Sequence, residues 1–192
     1  MDPTLAARPP LLLGLCGAAG AGKSTVAAYL EHEYAFAQLA LADPIVDMIG
    51  ALFSAAGVDG AWMVERALKE QPTTLGVSYR RLAQTLGTDW GRQIVAPDLW
   101  LRVATQRLAS PALQAENVVV SDIRFPNEAQ WLQARGGVLV RVLRLEADLP
   151  AVQPHASEQH WLTLPATHEL LNYGSVATLH DQVDRLMAAL RS

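Results

Sequence analysis

The stretch Gly17-Ala18-Ala19-Gly20-Ala21-Gly22-Lys23-Ser24 carries the most chemistry in this chain. It satisfies G-x-x-x-x-G-K-[ST] at every defined position, the pattern of a P-loop that cradles phosphates. Glycines let backbone N–H groups converge on an anion, and the N-terminus of the following helix adds its positive dipole. Lys23 then reaches the β- and γ-phosphates of a nucleoside triphosphate, and the Ser24 hydroxyl serves Mg²⁺. Thr25 falls near the α-phosphate. The bare pattern also occurs by chance as a glycine-rich turn, so its setting decides. Here an apolar run, Leu11–Cys16, precedes it and an amphipathic segment follows.

A second chemical element is Asp122, which ends the apolar run Val118-Val119-Val120-Ser121. An acid at the end of a buried strand matches the Walker B position that helps hold Mg²⁺; the plainer reading is an Asp that caps the next turn. Transfer of a phosphoryl group between nucleotides needs two clustered anions to be held and the moving charge to be neutralised. That requirement points to arginines, and Arg80, Arg81, Arg92, Arg124 and Arg144 are the candidates. Arg124 stands out because it lies two residues beyond Asp122. Arg80 and Arg81 are neighbours on a predicted helix and cannot both face one point. Trp90 and Trp100 are candidates for lining a base pocket, or for simple core packing. His155, His160 and His168 form no zinc-like array with cysteines. Cys16 reads as a small buried hydrophobe.

These groups need strands that end beside one another. Leu11–Cys16, Phe36–Leu41, Asn117–Ser121, Val138–Leu145 and His168–Leu171 read as strands, and helical patterns lie between them. Lys23–Glu33 is helical, with Val26 and Leu30 on one face. Asp43-Pro44 opens a helix with Asp43 as N-cap and Pro44 at the first helical position. Further helices are predicted over Ala61–Lys69, Ser78–Ile94, from Pro97-Asp98 and over Pro126–Arg135. Gly87 and Gly91 weaken the Ser78–Ile94 helix by about 1 kcal/mol each. Residues 1–9 read as a loose tail and 146–165, with three prolines, as an excursion. The closing helix carries Val176, Leu179, Val183, Leu186 and Leu190 as a packing stripe. Alternation of strands and helices predicts an α/β fold, a parallel sheet of about five strands with helices on both faces. No composition shift divides the 192 residues, so a single domain is expected.

Composition sets further bounds. Hydrophobic residues make up 51% and charged residues 18%, which excludes disorder. The formal net charge of −4 supplies no general basic field for a nucleic-acid polymer. One cysteine permits no internal disulfide. The Leu11–Cys16 run is short for a signal peptide, and no apolar stretch reaches membrane-spanning length. A cytoplasmic protein without a membrane partner is the expectation.

Taken in order, these residues resemble a known family, the bacteriophage-type deoxynucleoside monophosphate kinases. The resemblance runs from the P-loop through Leu41-Ala42-Asp43-Pro44-Ile45. Its most specific stretch is Tyr79-Arg80-Arg81-Leu82-Ala83-Gln84-Thr85-Leu86-Gly87-Thr88-Asp89-Trp90, followed by Leu99-Trp100. It continues through Asp122-Ile123-Arg124-Phe125-Pro126-Asn127-Glu128 and His155-Ala156-Ser157-Glu158 to Leu171-Asn172-Tyr173-Gly174-Ser175. The resemblance implies a three-layer P-loop kinase fold with a lid over about 146–165. It implies transfer of the γ-phosphate of ATP, with Mg²⁺, to a deoxynucleoside monophosphate, and a homodimer. On the donor side it implies Ala19, Gly20, Ala21, Gly22, Lys23, Ser24 and Thr25, with Asn172, Gly174 and Ser175 near the adenine. On the acceptor side it implies Asp43, Arg81, Gln84, Thr88, Trp90, Arg92, Arg124 and Glu128. Lys23, Asp122, Arg124, Arg81 and Arg144 would be catalytic, and Ser24 and Asp122 would hold the Mg²⁺.

Two features depart from the family pattern. Val46 stands where a lysine is common, and Ala147–Leu164 contains no Lys or Arg. Charge closure over the donor then falls to Arg141 or Arg144. The competing readings are another small P-loop kinase, acting on dephospho-coenzyme A or a small metabolite, and a nucleotide-binding module that does not turn over.

Overall fold

A computed structural model describes residues 9–144 and 160–192. Residues 1–8 of the predicted tail, most of the lid and the His155–Glu158 motif therefore lie outside the described residues. Five strands form one sheet: β1 (Leu12–Cys16), β2 (Phe36–Leu39), β3 (Asn117–Val120), β4 (Val138–Arg144) and β5 (His168–Asn172). Their order is β2-β3-β1-β4-β5, and every pairing is parallel. The three-layer α/β expectation holds, with each strand within two residues of its predicted bounds. Near-continuous apolar strands such as Val118-Val119-Val120 are what a sheet covered on both faces demands.

By its internal contacts the chain forms two compact units, Met1–Ala40 with Gln106–Ser192, and Leu41–Thr105. The first unit holds the whole sheet. Helix α1 (Lys23–Tyr34) and the closing helix, numbered α7 here (Val176–Arg191), cover one face. Leu13, Leu15, Val119, Val140, Val142 and Leu170 pack there against Val26, Leu30, Leu179, Val183 and Met187. The predicted stripe on the closing helix is this contact. Gly14 faces the other way, toward Leu132 of α6 (Pro126–Gln133) and Ile123. Alternation of side chains along β1 thus feeds both layers.

The second unit contains α2 (Asp43–Ala56), the short α3 (Ala61–Val64), α4 (Tyr79–Gln84) and a π-helix, Thr85–Val95. Helix α5 (Leu99–Leu108) begins in it. Ile45, Ile49, Phe53, Val58 and Trp100 form its core, with Tyr79, Leu82, Ala83 and Leu86 packed against them.

Three expectations need correction in this unit. Asp43 is not the N-cap: Ala42 takes that place, its carbonyl accepts from Ile45 N at 2.9 Å and Val46 N at 3.0 Å, and Asp43 and Pro44 lie within the first turn. The predicted Ala61–Lys69 helix stops at Val64, because Glu65 takes an extended backbone and successive turns follow. The Ser78–Ile94 helix begins as expected, with the Ser78 hydroxyl accepting from Arg81 N at 3.2 Å. It then widens into the π-helix, closed by Ala96 N donating to Gly91 O at 3.0 Å. A Cβ on Gly91 would lie 2.7 Å from Cε2 of Trp100 and 2.8 Å from its Nε1, and one on Gly87 would lie 3.0 Å from Ile45 Cδ1. The Trp100 indole packs against Gly91, where a side chain would collide with it, and Trp100 Nε1 donates to Gly87 O at 2.8 Å.

Candidate active site

The P-loop leaves the carboxyl end of β1, the central strand, between the ends of β3 and β4. In open parallel sheets this is where ligands are bound, at the point where the strand order reverses. Gly17, Gly20 and Gly22 have φ of 144°, 80° and 109°, a region side chains disfavour. A Cβ on Gly17 would also strike the Val142 carbonyl of β4. Gly22 is the N-cap of α1, with no side-chain cap and no acid in the first turn. The first N–H groups of α1 and the helix dipole thus stand ready for an anion. Lys23 Nζ donates to the carbonyls of Gly17 and Ala18, each at 2.8 Å, which folds the ammonium over the loop. Ala19, Gly20 and Ser24 are exposed, and Thr25 is partly buried.

Asp122 follows the end of β3, and its backbone neighbours hold it there. Ser121 N donates to Leu39 O at 3.1 Å and Ile123 N to Leu15 O at 3.0 Å, so the segment is tied to the strands on both sides. Arg124 is exposed, and its guanidinium makes no hydrogen bond or ion pair among the described residues. Glu128 is 1% exposed, and its Oε2 accepts from Arg124 N at 2.6 Å and Phe125 N at 3.0 Å. It therefore caps the start of α6 and fixes the backbone that carries Arg124.

The two arginines of β4 separate. Arg141 Nη1 pairs with Glu169 at 2.6 Å and Nη2 donates to Leu164 O at 2.5 Å, which fastens Leu164 to the sheet. Arg144 is exposed and donates to the Gly20 carbonyl at 3.4 Å. Of the two candidates for charge closure, Arg144 is the one at the P-loop. Asn172, its register partner on β5, donates Nδ2–H to Ala21 O at 3.0 Å. Gly174 and Ser175 follow, and the Ser175 hydroxyl caps α7 by accepting from Thr178 N at 3.2 Å. Cys16 is fully buried, and burial pushes its thiol up, with Arg141 and Lys23 acting in the opposite sense.

The second unit carries the other expected set. Arg80 pairs with Glu70, while the exposed Arg81 makes no side-chain hydrogen bond or ion pair among the described residues. The neighbours do face different ways, and Arg81 is the available cation. Gln84 and Thr88 are partly buried, Trp90 is 38% exposed, and Arg92 donates to Pro97 O at 3.5 Å. Asp43 is partly buried at the start of α2. Trp100 is 4% exposed and belongs to the core, which leaves Trp90 as the tryptophan open to a ligand. Sequence reasoning missed the contacts to the P-loop carbonyls, because nothing in the spacing of Gly20 and Arg144 brings them together.

The arrangement fits a triphosphate at the P-loop. Among the described residues no group of three or more His, Cys, Asp or Glu is poised for a metal. Ser24 is an exposed hydroxyl and Asp122 a partly buried carboxylate, and both are the hard oxygen donors that Mg²⁺ takes.

The sheet order, the loop and its flanking groups define the class, a P-loop kinase fold. Comparison with known proteins narrows it. Residues 62–183 match the model of the family described as deoxynucleotide monophosphate kinase. A protein of Acanthamoeba polyphaga mimivirus that bears the deoxynucleotide monophosphate kinase name is 32% identical over 143 residues, 70% of this chain and 74% of that protein. The deoxynucleoside-5'-monophosphate kinase of Escherichia phage T5 is 33% identical over 104 residues, 52% of this chain and 41% of the phage enzyme. Among solved structures, TT1252 from Thermus thermophilus matches with a TM-score of 0.52 and 22% identity, over 95% of this chain and 99% of that one, a likeness of fold. The chain belongs to the deoxynucleotide monophosphate kinase family, whose members are phosphotransferases.

Proposed function

We propose that this chain transfers the γ-phosphate of ATP to a deoxynucleoside monophosphate, giving ADP and a deoxynucleoside diphosphate. The observation that carries the reading is a phosphate-cradling loop at the carboxyl edge of the sheet in a chain of this family. In this reading the N–H groups at the start of α1 hold the donor phosphates, with Ala19–Gly22 around them and Thr25 near the α-phosphate. Lys23 swings from the Gly17 and Ala18 carbonyls to the β- and γ-oxygens. When bound between Ser24 and Asp122, Mg²⁺ supplies further neutralisation of charge on those phosphates. Gly174 and Ser175 border the adenine.

The acceptor phosphate is itself an anionic nucleophile, so no general base is required. Catalysis is then positioning and charge stabilisation, with Arg124 and Arg144 neutralising the transferring group. Glu128 serves by holding the Arg124 backbone. Arg81 binds the acceptor phosphate, Trp90 offers a face to the base, and Asp43, Gln84, Thr88 and Arg92 complete the monophosphate side. We read the chain as one catalytic domain. A cytoplasmic setting is read from the sequence, and a homodimeric state rests on the family resemblance; light scattering on the purified protein tests the latter. No described helix is long and apolar enough to cross a membrane.

A coupled ADP-release assay with Mg-ATP against dTMP, dGMP, dCMP, dAMP and their ribose counterparts tests the reaction. Turnover with a deoxynucleotide is expected and names the base. ATP binding without turnover on any of them would replace this reading by a different acceptor or a non-catalytic module.

A further inference from the structure

Two side chains at the carboxyl edge of the sheet aim at successive carbonyls of the P-loop. Arg144 and Asn172 are register partners on β4 and β5. Arg144 reaches Gly20 O at 3.4 Å, and Asn172 reaches Ala21 O at 3.0 Å. The Asn172 amide also lies against the turn into α1, where a Cβ on Gly22 would sit 2.7 Å from Nδ2. Ala21 is 1% exposed and Asn172 partly buried, so this bond is partly shielded from water.

The planarity of the peptide gives that bond a consequence. In a trans peptide the carbonyl of one residue and the N–H of the next point in opposite directions. Fixing Ala21 O against Asn172 therefore fixes the Gly22 N–H on the other side, and this N–H has no partner among the described residues. Glycine makes the constraint necessary, because the peptide beside Gly22 is free to rotate where a larger residue would restrict it.

Asn172 is itself held. β5 is an edge strand, and the backbone of Leu171 is bracketed by one side chain of α7. Leu171 N donates to Gln182 Oε1 at 2.8 Å, and Gln182 Nε2 donates back to Leu171 O at 2.9 Å. The Gln182 amide thus substitutes for a missing neighbouring strand, one residue before Asn172.

We propose that Asn172 is a positioning residue for the donor phosphates: it sets the Ala21–Gly22 peptide so that the Gly22 N–H faces the anion, and Gln182 holds Asn172 in place. The proposal rests on the donor-site reading above and replaces the expectation that Asn172 serves the adenine. It is independent of which monophosphate is the acceptor.

The test is calorimetric binding of Mg-ATP and of Mg-tripolyphosphate, a probe with phosphates and no base, to wild type, Asn172→Ala and Gln182→Ala. Loss of one hydrogen bond that organises a binding group is expected to weaken Asn172→Ala for both probes by the same factor, roughly three- to tenfold. Gln182→Ala is expected to shift both in the same direction by less. Circular dichroism of each variant confirms a folded protein. Weakened ATP binding with unchanged tripolyphosphate binding would make Asn172 an adenine residue and overturn the proposal, as would unchanged affinity for both. A wild-type protein that binds neither probe would sink the donor-site reading and the proposal with it. Binding by wild type with an unmoved Asn172→Ala sinks the proposal alone.

Discussion

Replacing Gly91 by alanine should destabilise the second compact unit, although a helix-propensity argument predicts the opposite. Gly to Ala inside a helix ordinarily gains about 1 kcal/mol. Here the new methyl would lie 2.7 Å from Cε2 and 2.8 Å from Nε1 of Trp100. The indole is rigid and 4% exposed, so it cannot swing into solvent as a flexible side-chain end would. Overpacking of this kind costs about 1–3 kcal/mol. Displacing the ring also stretches the buried bond from Trp100 Nε1 to Gly87 O, a loss of about 1–3 kcal/mol if the carbonyl is left unpaired. Set against the propensity gain, the net loss is about 1–5 kcal/mol. Gly50→Ala is the internal control. Its methyl meets only Met63, at 3.6 and 3.9 Å, which is ordinary contact, so it should gain up to about 1 kcal/mol. Urea denaturation followed by tryptophan fluorescence reads both, with the Gly91→Ala midpoint below wild type and the Gly50→Ala midpoint at or above it. A Gly91→Ala midpoint equal to or above wild type would refute the claim that the Trp100 indole packs tightly against Gly91.

Other consequences follow at the site and on the surface. Lys23→Ala should abolish ADP release, a loss of at least about 100-fold for a phosphate-directed charge, while leaving the circular dichroism spectrum intact; full activity would defeat the P-loop assignment. Arg124→Ala should lower kcat by about two to three orders of magnitude, whereas a change confined to KM would make it a simple binding residue. Stability should fall as pH rises from about 9 to about 12. Burial raises the Cys16 thiol above 9.0, and loss of water together with hydrogen bonds to Asp184 pushes Tyr29 up to about 12 from 10.0. Each group keeps its proton longer when folded, so the unfolded state binds fewer protons across that window and gains as pH rises. A urea midpoint that stays flat over this range would contradict the assignment.

The sequence by itself determined the strands, the P-loop and the order of the motifs. Those signals are local: an apolar run for a buried strand, glycines with a following lysine for the loop, and a stripe at helical spacing for the closing helix. The start of the Ser78–Ile94 helix was legible for the same reason, since its pattern is local, and the Ser78 hydroxyl accepting from Arg81 N closes that end. Tertiary structure alone decided which neighbour does what. Arg80 and Arg81 look alike in sequence, and only the placement of Glu70 occupies one and leaves the other open. Gly87 and Gly91 read as weak points of an α-helix, and only the tertiary structure shows the Trp100 indole packed on Gly91 and its Nε1–H donated to Gly87 O. Arg141 and Arg144 were equal candidates until Glu169 and Leu164 claimed the first and Gly20 received the second. Asn172 bonds Ala21, which lies 151 positions away in the chain, a contact no spacing reveals. The physical reason is common to all four: hydrogen bonds and steric fit act over a few ångströms in space, and a single sequence records spacing along the chain.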